Sequence, residues 1–205
     1  MAPGRRLATI TAMFQVRIHG RGGQGVVTAA ELLSVAAFAE GSHAQAFPTF
    51  GSERTGAPVV AFCRIDDVPI RLREPVTSPD ALIVQDPTLV HQVDLFAGLG
   101  PEGYLLLNTG RTFAELGLEE LVRGFLPGRA LTLPATDIAR EHLGRPLPNA
   151  ALLGGFAALT GRVSLGAVTT AIEEKFCGET GRRNAAAAEA AYAETQSRIG
   201  APSRA

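Results

Sequence analysis

Six residues, Gly20-Arg-Gly-Gly-Gln-Gly25, carry the first pattern with chemical meaning. Glycines let a backbone adopt positive φ and let another group approach it closely. A helix that starts just beyond such a turn offers free N–H donors and partial positive charge, which suits a phosphate or another anion. Arg21 and Gln24 can each add a donor. The spacing Gly20, Gly22, Gly25 fits the G-x-G-x-x-G template of dinucleotide sites. The second half of that template, an acidic residue closing the next strand about 20 residues on, is not evident. Residues 40–45 read Glu-Gly-Ser-His-Ala-Gln, with Glu40 at a helix end a weak candidate. No Gly-Lys-Ser/Thr follows, so the turn is not a P-loop. It is either a phosphate cradle or a tight turn packed on another polypeptide, with Arg21 solvated and Gln24 capping the helix.

A second group lies in Ala46-Phe-Pro-Thr-Phe-Gly-Ser-Glu-Arg-Thr-Gly56. Arg54 among small residues suits two-pronged recognition of a carboxylate or phosphate. Ser52, Glu53 and Thr55 flank it, while Phe47 and Phe50 can anchor the loop. Local salt bridges would explain the same charges. Asn149 precedes a helical pattern and reads as an N-cap. Asn108 and Thr109 close an apolar strand, where open α/β sheets place ligands. His19 can titrate near neutrality but has no partner in the pattern. Cys63, beside Phe62 in a strand, reads as core. Glu173, Glu174 and Lys175 read as a solvated helix face.

The elements that must position these groups alternate. Phe14–His19 has strand periodicity, and Val26–Glu40 has apolar residues at helical spacing, closed by Gly41. Residues 43–56 read as an ordered loop. Pro58–Ile65 is strand-like, and Asp66-Asp67 turns it toward Pro69–Leu72 as a hairpin. Ala81–Gln85, Tyr104–Asn108 and Ala130–Leu133 are short apolar runs, as buried parallel strands are. Asp86-Pro87 can start a helix. Further helices are expected over Asp137–Leu143, Ala150–Thr160, Leu165–Phe176 and Asn184–Gln196. The reading is an α/β fold: a mainly parallel sheet flanked by helices, a hairpin insertion and a helical C-terminal segment. Residues 1–12 are expected as a flexible arm, 13–198 as one domain and 199–205 as a disordered tail.

Composition narrows the function. Of 205 residues, 46% are hydrophobic and 19% charged, enough for one good core. Lys+Arg is 19 against 20 for Asp+Glu, so no basic excess exists for nucleic acid, and 6% aromatics without Trp argue against base stacking. Cys63 and Cys177 cannot supply the four thiolates of an iron–sulfur cluster. His19, His43, His91 and His142 are scattered singly, so no metal motif is present. Two cysteines fit free thiols in a reducing compartment. No apolar run has the length of a secretory signal or a membrane span, which points to a cytoplasmic chain.

Three segments taken together are more specific than any one: Gly20–Ala30, Phe47–Val59 with its Phe-Gly-Ser-Glu-Arg-x-Gly-Ala-Pro loop, and Asn149-Ala-Ala-Leu-Leu-Gly-Gly155. The set resembles the gamma subunit, or gamma domain, of the 2-oxoacid:ferredoxin oxidoreductases, pyruvate:ferredoxin oxidoreductase among them. The resemblance spans about Phe14 to Gln196 and implies a Rossmann-like fold. It also implies a larger enzyme that converts a 2-oxoacid and CoA to acyl-CoA and CO2, passing electrons to ferredoxin or a related acceptor. Thiamine diphosphate, Mg2+ and iron–sulfur clusters would sit on the alpha, beta and iron–sulfur subunits. This chain alone would carry no catalytic residue, no metal and no cofactor. What the resemblance assigns to it is a CoA-binding or subunit-interface surface: Arg21, Gly22, Gly23, Gln24, Gly25, Ser52, Glu53, Arg54, Thr55 and Asn149. An indolepyruvate or other aryl 2-oxoacid enzyme is a close alternative. A free-standing dinucleotide-binding oxidoreductase is the alternative of another class, and a stand-alone scaffold is a third.

Overall fold

A computed structural model describes residues 13–49 and 56–199. Six strands form one sheet: β1 (Phe14–Arg21), β2 (His43–Pro48), β3 (Pro58–Asp66), β4 (Ala81–Val84), β5 (Tyr104–Asn108) and β6 (Ala130–Leu133), in spatial order β2-β3-β1-β4-β5-β6. β1, β4, β5 and β6 pair in parallel, and β3 is antiparallel to both its neighbours. β2 therefore runs with β1, and β3 alone opposes the rest. The expected α/β fold with a mainly parallel sheet is what the chain adopts.

Period two divides the sheet into two faces. Phe14, Val16, Ile18, Ala61, Cys63, Ala81, Ile83 and Leu106 point into the larger core. Helices α1 (Val26–Ala39), α4 (Asn149–Thr160), α5 (Leu165–Lys175) and α6 (Glu179–Ile199) contribute the rest of it. α4 is buried nearly all round, as its run of Ala, Leu and Gly requires. Gly154 lets its backbone lie against that of α6: a Cβ there would stand 1.9 Å from the Ala188 carbonyl oxygen. On the opposite face, Leu82, Val84, Leu105 and Leu107 meet Leu89 and Leu95. Of two short helices, α2 (Glu119–Arg123) packs on this second cluster and α3 (Ala135–Leu143) on the larger core.

Two expectations are corrected. Residues 43–48 form strand β2 rather than loop, and they, not Pro69–Leu72, are the hairpin partner of β3. Residues 69–72 form no strand because their neighbourhood is tied to the sheet by side chains instead. Arg64 of β3 donates to the carbonyls of Leu72 (3.2 Å) and Glu74 (2.6 Å). Arg17 of β1 does the same for Leu95 and Ala97, each at 2.7 Å. Both arginines are buried, and desolvation lowers the pKa of each from the usual guanidinium range. These bonds give partners to four backbone carbonyls in the irregular stretches on either side of β4.

Candidate functional site

β1 continues two residues beyond its predicted end, so the glycine turn begins with Arg21 still paired to Pro58. Two backbone hydrogen bonds then lock the turn to the far side of the 50–55 segment. Gly22 N–H donates to Ala57 O (2.9 Å), and Gly56 N–H donates to Gly22 O (3.1 Å). Positive φ is confined to Gly23 (94°) and Gly25 (74°) within the turn. Gly25 is fixed twice over, since a Cβ would also stand 2.7 Å from Asn149 Nδ2.

The two polar residues of the turn are occupied by the protein itself. Arg21 Nε lies 3.2 Å from Asp86 Oδ2. Its terminal nitrogens donate to Gly56 O (3.0 Å), Thr88 Oγ1 (2.8 Å) and Gln92 Oε1 (2.9 Å). Gln24 Oε1 accepts from Arg21 N–H (2.8 Å), and its Nε2 donates to Asp86 Oδ2 (2.8 Å). Asp86 also caps the 3-10 turn Pro87–His91, accepting from the Thr88 backbone and hydroxyl. Burial pushes the Asp86 pKa up, but the hydrogen bonds from Thr88 and Gln24 and the Arg21 charge outweigh it. The net value lies below 3.8. Arg21 is thus a strut between turn, loop flank and 3-10 turn.

This network sits in the crevice between the carboxyl ends of β1 and β4. The chain leaves β1 for one face through α1 and leaves β4 for the other, so this is the topological switch point where open α/β sheets bind ligands. Here Arg21, Gln24 and Asp86 fill it. The dinucleotide template fails at a second place as well. Strand β3 separates β1 from β2, so the strand beside β1 on that side is not the one from which the template takes its ribose acid. Glu40 lies at the other end of α1, about 20 Å away by helix rise, where its carboxylate accepts from Ser164 N–H.

The other candidates separate clearly. Asn149 is not an N-cap: Pro148 takes that place, Asn149 is the first helical residue, and its side chain caps nothing. It is buried against Gly25 instead. Asn108 donates to Gln85 O (2.6 Å) and Thr136 Oγ1 (2.8 Å) and accepts from Thr136 N–H, tying β4, β5 and α3 together. His19 is buried with Nε2 unpartnered. Desolvation and the Arg17 charge push its pKa down to about 4, so it is neutral near pH 7 rather than titrating there. Cys63 is core, its thiol pushed up to about 12 by burial. Cys177 is exposed. Phe47 anchors its strand, its ring 5.1 Å from that of Phe62 and under the Arg64 guanidinium at 5.0 Å. Lys175 reaches across to Glu31 (3.1 Å). Phe50, Ser52, Glu53, Arg54 and Thr55 lie outside the described residues.

Sequence reasoning missed Asp86 as the hub of the turn. The signal was faint: Asp before Pro promised a cap, and nothing local announced a partner 62 residues earlier. It also missed a hollow of about 520 Å3 on the other side of the turn, lined by Gly23, Gly25, Thr28, Arg145, Asn149 and Arg183 among others. Among the described residues no group of three or more His, Cys, Asp or Glu could hold a metal ion. No helix there is long and apolar enough to cross a membrane.

Fold and turn together define a Rossmann-like domain whose switch-point crevice is occupied by its own side chains. Comparison with known proteins gives the lineage. Residues 15–194 match the family model described as pyruvate ferredoxin/flavodoxin oxidoreductase. The chain is 49% identical over 184 residues to the pyruvate/ketoisovalerate oxidoreductases common subunit gamma of Pyrococcus abyssi, covering 90% of this chain and 98% of that one. It is 49% identical over 180 residues to pyruvate synthase subunit PorC of Methanothermobacter marburgensis, covering 88% and 96%. The crystal structure of pyruvate oxidoreductase subunit PORC from Thermotoga maritima superposes with a TM-score of 0.74 at 37% identity, covering 88% and 96%. The chain belongs to the pyruvate ferredoxin/flavodoxin oxidoreductase family, as a gamma-type member.

Proposed function

We propose that the chain is the gamma subunit of a cytoplasmic, multi-subunit 2-oxoacid:acceptor oxidoreductase. It packs on the thiamine diphosphate-binding alpha and beta subunits and an iron–sulfur subunit. The whole assembly converts a 2-oxoacid and CoA to acyl-CoA and CO2, with electrons passing to ferredoxin or a related acceptor. The observation that carries this reading is the end-to-end match to stand-alone gamma subunits, 98% of one such chain at 49% identity. Their names favour pyruvate and branched 2-oxoacids over aryl ones.

The cofactors of such an assembly do not fit this chain. The crevice that would receive a diphosphate is filled by Arg21, Gln24 and Asp86. One buried and one exposed cysteine cannot ligate a four-thiolate cluster. Thiamine diphosphate, Mg2+ and clusters therefore belong to other subunits, and the contribution here is architectural. The surface assigned to CoA or to a neighbouring subunit comprises Arg21–Gly25, Ser52–Thr55 and Asn149. It is supported by the tie between Gly22 and residues 56–57, which brings one flank of the 52–55 segment to the turn.

The test is to tag the chain in its native host, purify it gently and identify what accompanies it. The same sample is assayed for CoA-dependent viologen reduction with a panel of 2-oxoacids. Thiamine-binding and iron–sulfur chains together with activity are expected. A lone, inactive protein after mild crosslinking would overturn the reading. In the active assembly, Arg54→Ala should raise the apparent KM for CoA or weaken subunit retention while leaving cluster content unchanged.

A further inference from the structure

Strand β2 is the outermost strand beyond β3, and half of its backbone is unused. In an antiparallel pair, residues that exchange hydrogen bonds with the neighbour alternate with residues whose N–H and C=O point away from it. Thr49 N–H donates to Val60 O (2.9 Å), and the register of β2 on β3 continues that pairing through Phe47, Gln45 and His43. The N–H and C=O groups of Ala44 and Ala46 therefore point outward, and no other backbone group among the described residues bonds to them. Sheet edges are normally blunted by charge, proline or a covering element. From Ala44 onward the one such device in β2 is Pro48, at its end.

The side chains along this edge are unfinished as well. Gln45 and Phe47 lie on the face away from Ala44 and Ala46, at a hollow of about 620 Å3 lined also by Phe62, Arg73 and Pro75. Gln45 Oε1 is buried there without a hydrogen-bond partner. A buried acceptor of this kind costs stability unless something supplies a donor. On the other face, α1 packs against β2 and carries two exposed apolar side chains, Val35 (46%) and Phe38 (69%).

The edge is complementary to itself. A second copy laid antiparallel, with Ala44 opposite the partner's Ala46, forms two backbone hydrogen bonds at each alanine pair. Gln45 then faces the partner's Gln45 on the two-fold axis, and His43 faces the partner's Phe47. Opposite Cβ atoms in such a pair stand about 4.5–5.5 Å apart. A turn of each terminal amide lets each Gln45 Oε1 accept from the partner's Nε2. The neighbouring registers are poorer. One engages Ser42, whose N–H is already given to Ala37 O (3.2 Å), and the other engages Pro48, which has no N–H. Charge agrees with this register. The Asp66–Asp67 end of one copy, beside His43, comes toward the partner's hollow, where Arg73 is the charged lining residue among those described.

We infer that the β2 edge is a two-fold interface for a second copy of this chain, joining the two sheets into one across Gln45. A six-residue strand buries less than the roughly 800 Å2 per partner of a stable interface. The hollow on one face and Val35 and Phe38 on the other supply further area. The interface is a property of the full chain alone, so it can fail while the subunit reading holds, and the reverse.

The test is disulfide trapping in the full chain carrying Cys177→Ser, which removes the exposed thiol and leaves Cys63 buried. Opposite residues of a non-hydrogen-bonded pair have Cα atoms about 4.5 Å apart, within disulfide reach. Gln45→Cys should therefore crosslink to its own copy under mild oxidation. His43→Cys should not, because the two copies of residue 43 stand about 13 Å apart along the strands. Sedimentation of the unsubstituted chain between about 5 and 200 µM should show a monomer–dimer equilibrium. Gln45→Lys and Gln45→Glu should each weaken it at least about tenfold by setting like charges on the axis. Their equimolar mixture should restore it, which a misfolded variant cannot do. A chain monomeric to about 200 µM, or crosslinking as fast at His43→Cys as at Gln45→Cys, would overturn the interface. So would trapping of Gln45→Cys on a different polypeptide in an assembly purified from the native host.

Discussion

His19 shows how a residue with catalytic credentials becomes structural. It lies on β1 between Arg17 and Arg21, with Nε2 buried and unpartnered. Its pKa in the folded chain is about 4 against 6.5 in the unfolded chain. The sign follows from that order. Between these values the unfolded chain binds the extra proton, so stability rises with pH through the window and is fully recovered above about 6.5. Urea unfolding should show about 2 kcal/mol less stability at pH 5 than at pH 7.5 from this residue. His19→Phe, which cannot protonate, should flatten the profile between these pH values, and an unchanged slope would refute the assignment. Asp86 acts lower on the scale. Its folded pKa is depressed below 3.8, so its contribution is present above that value and is lost as pH falls through the folded pKa. Asp86→Ala removes the cap on Thr88 and the acceptor for Arg21 and Gln24. A loss of about 3 kcal/mol is expected by denaturant titration at pH 7.

Among the elements, the helix pair α4–α6 depends on missing atoms. Gly154→Ala would drive a Cβ into the Ala188 carbonyl, with 1.9 Å between them and backbone on both sides. Neither helix can yield without moving the core, so a loss of at least about 3 kcal/mol is expected. Gly166→Ala is the matched control. It sits in the first turns of α5, exposed and without positive φ, with its nearest outside atom at 3.8 Å. There the substitution should raise stability by about 0.5–1 kcal/mol, and thermal unfolding of the two variants checks both signs. These helices, with β1, β4, β5 and β6, are readable in the sequence because each is either a run of helical or strand period or a short, nearly continuous apolar stretch. β2 is not. Its inward residues are Ala44 and Ala46, too small to mark an alternation, and its partner lies beyond a long connection. Pro69–Leu72 misled for the opposite reason. Its local pattern suits a strand, but Arg64 takes the Leu72 carbonyl, a contact no window around residue 70 contains.

For the molecule as a whole, the sequence pattern of a nucleotide fold and the use made of it part company at the switch point. The Gly20–Gly25 spacing predicts the strand, turn and helix that form. It does not disclose that Arg21 and Gln24 turn toward Asp86, because that residue arrives from β4 across the sheet. The consequence can be tested on the isolated chain. A dinucleotide would have to displace the Arg21–Asp86 pair, whose side chains are 23% and 12% exposed, together with the Gln24 hydrogen bonds. Breaking a charge-assisted network this sheltered costs several kcal/mol, and β3 stands between β1 and β2, where the template would place the strand that carries a ribose acid. Titration of the chain with NADH or NADPH, followed by nicotinamide fluorescence, should therefore show no saturable binding to about 1 mM. A dissociation constant below about 100 µM would mean that the crevice opens readily, and the chain would then be a dinucleotide-binding protein in its own right rather than an architectural subunit.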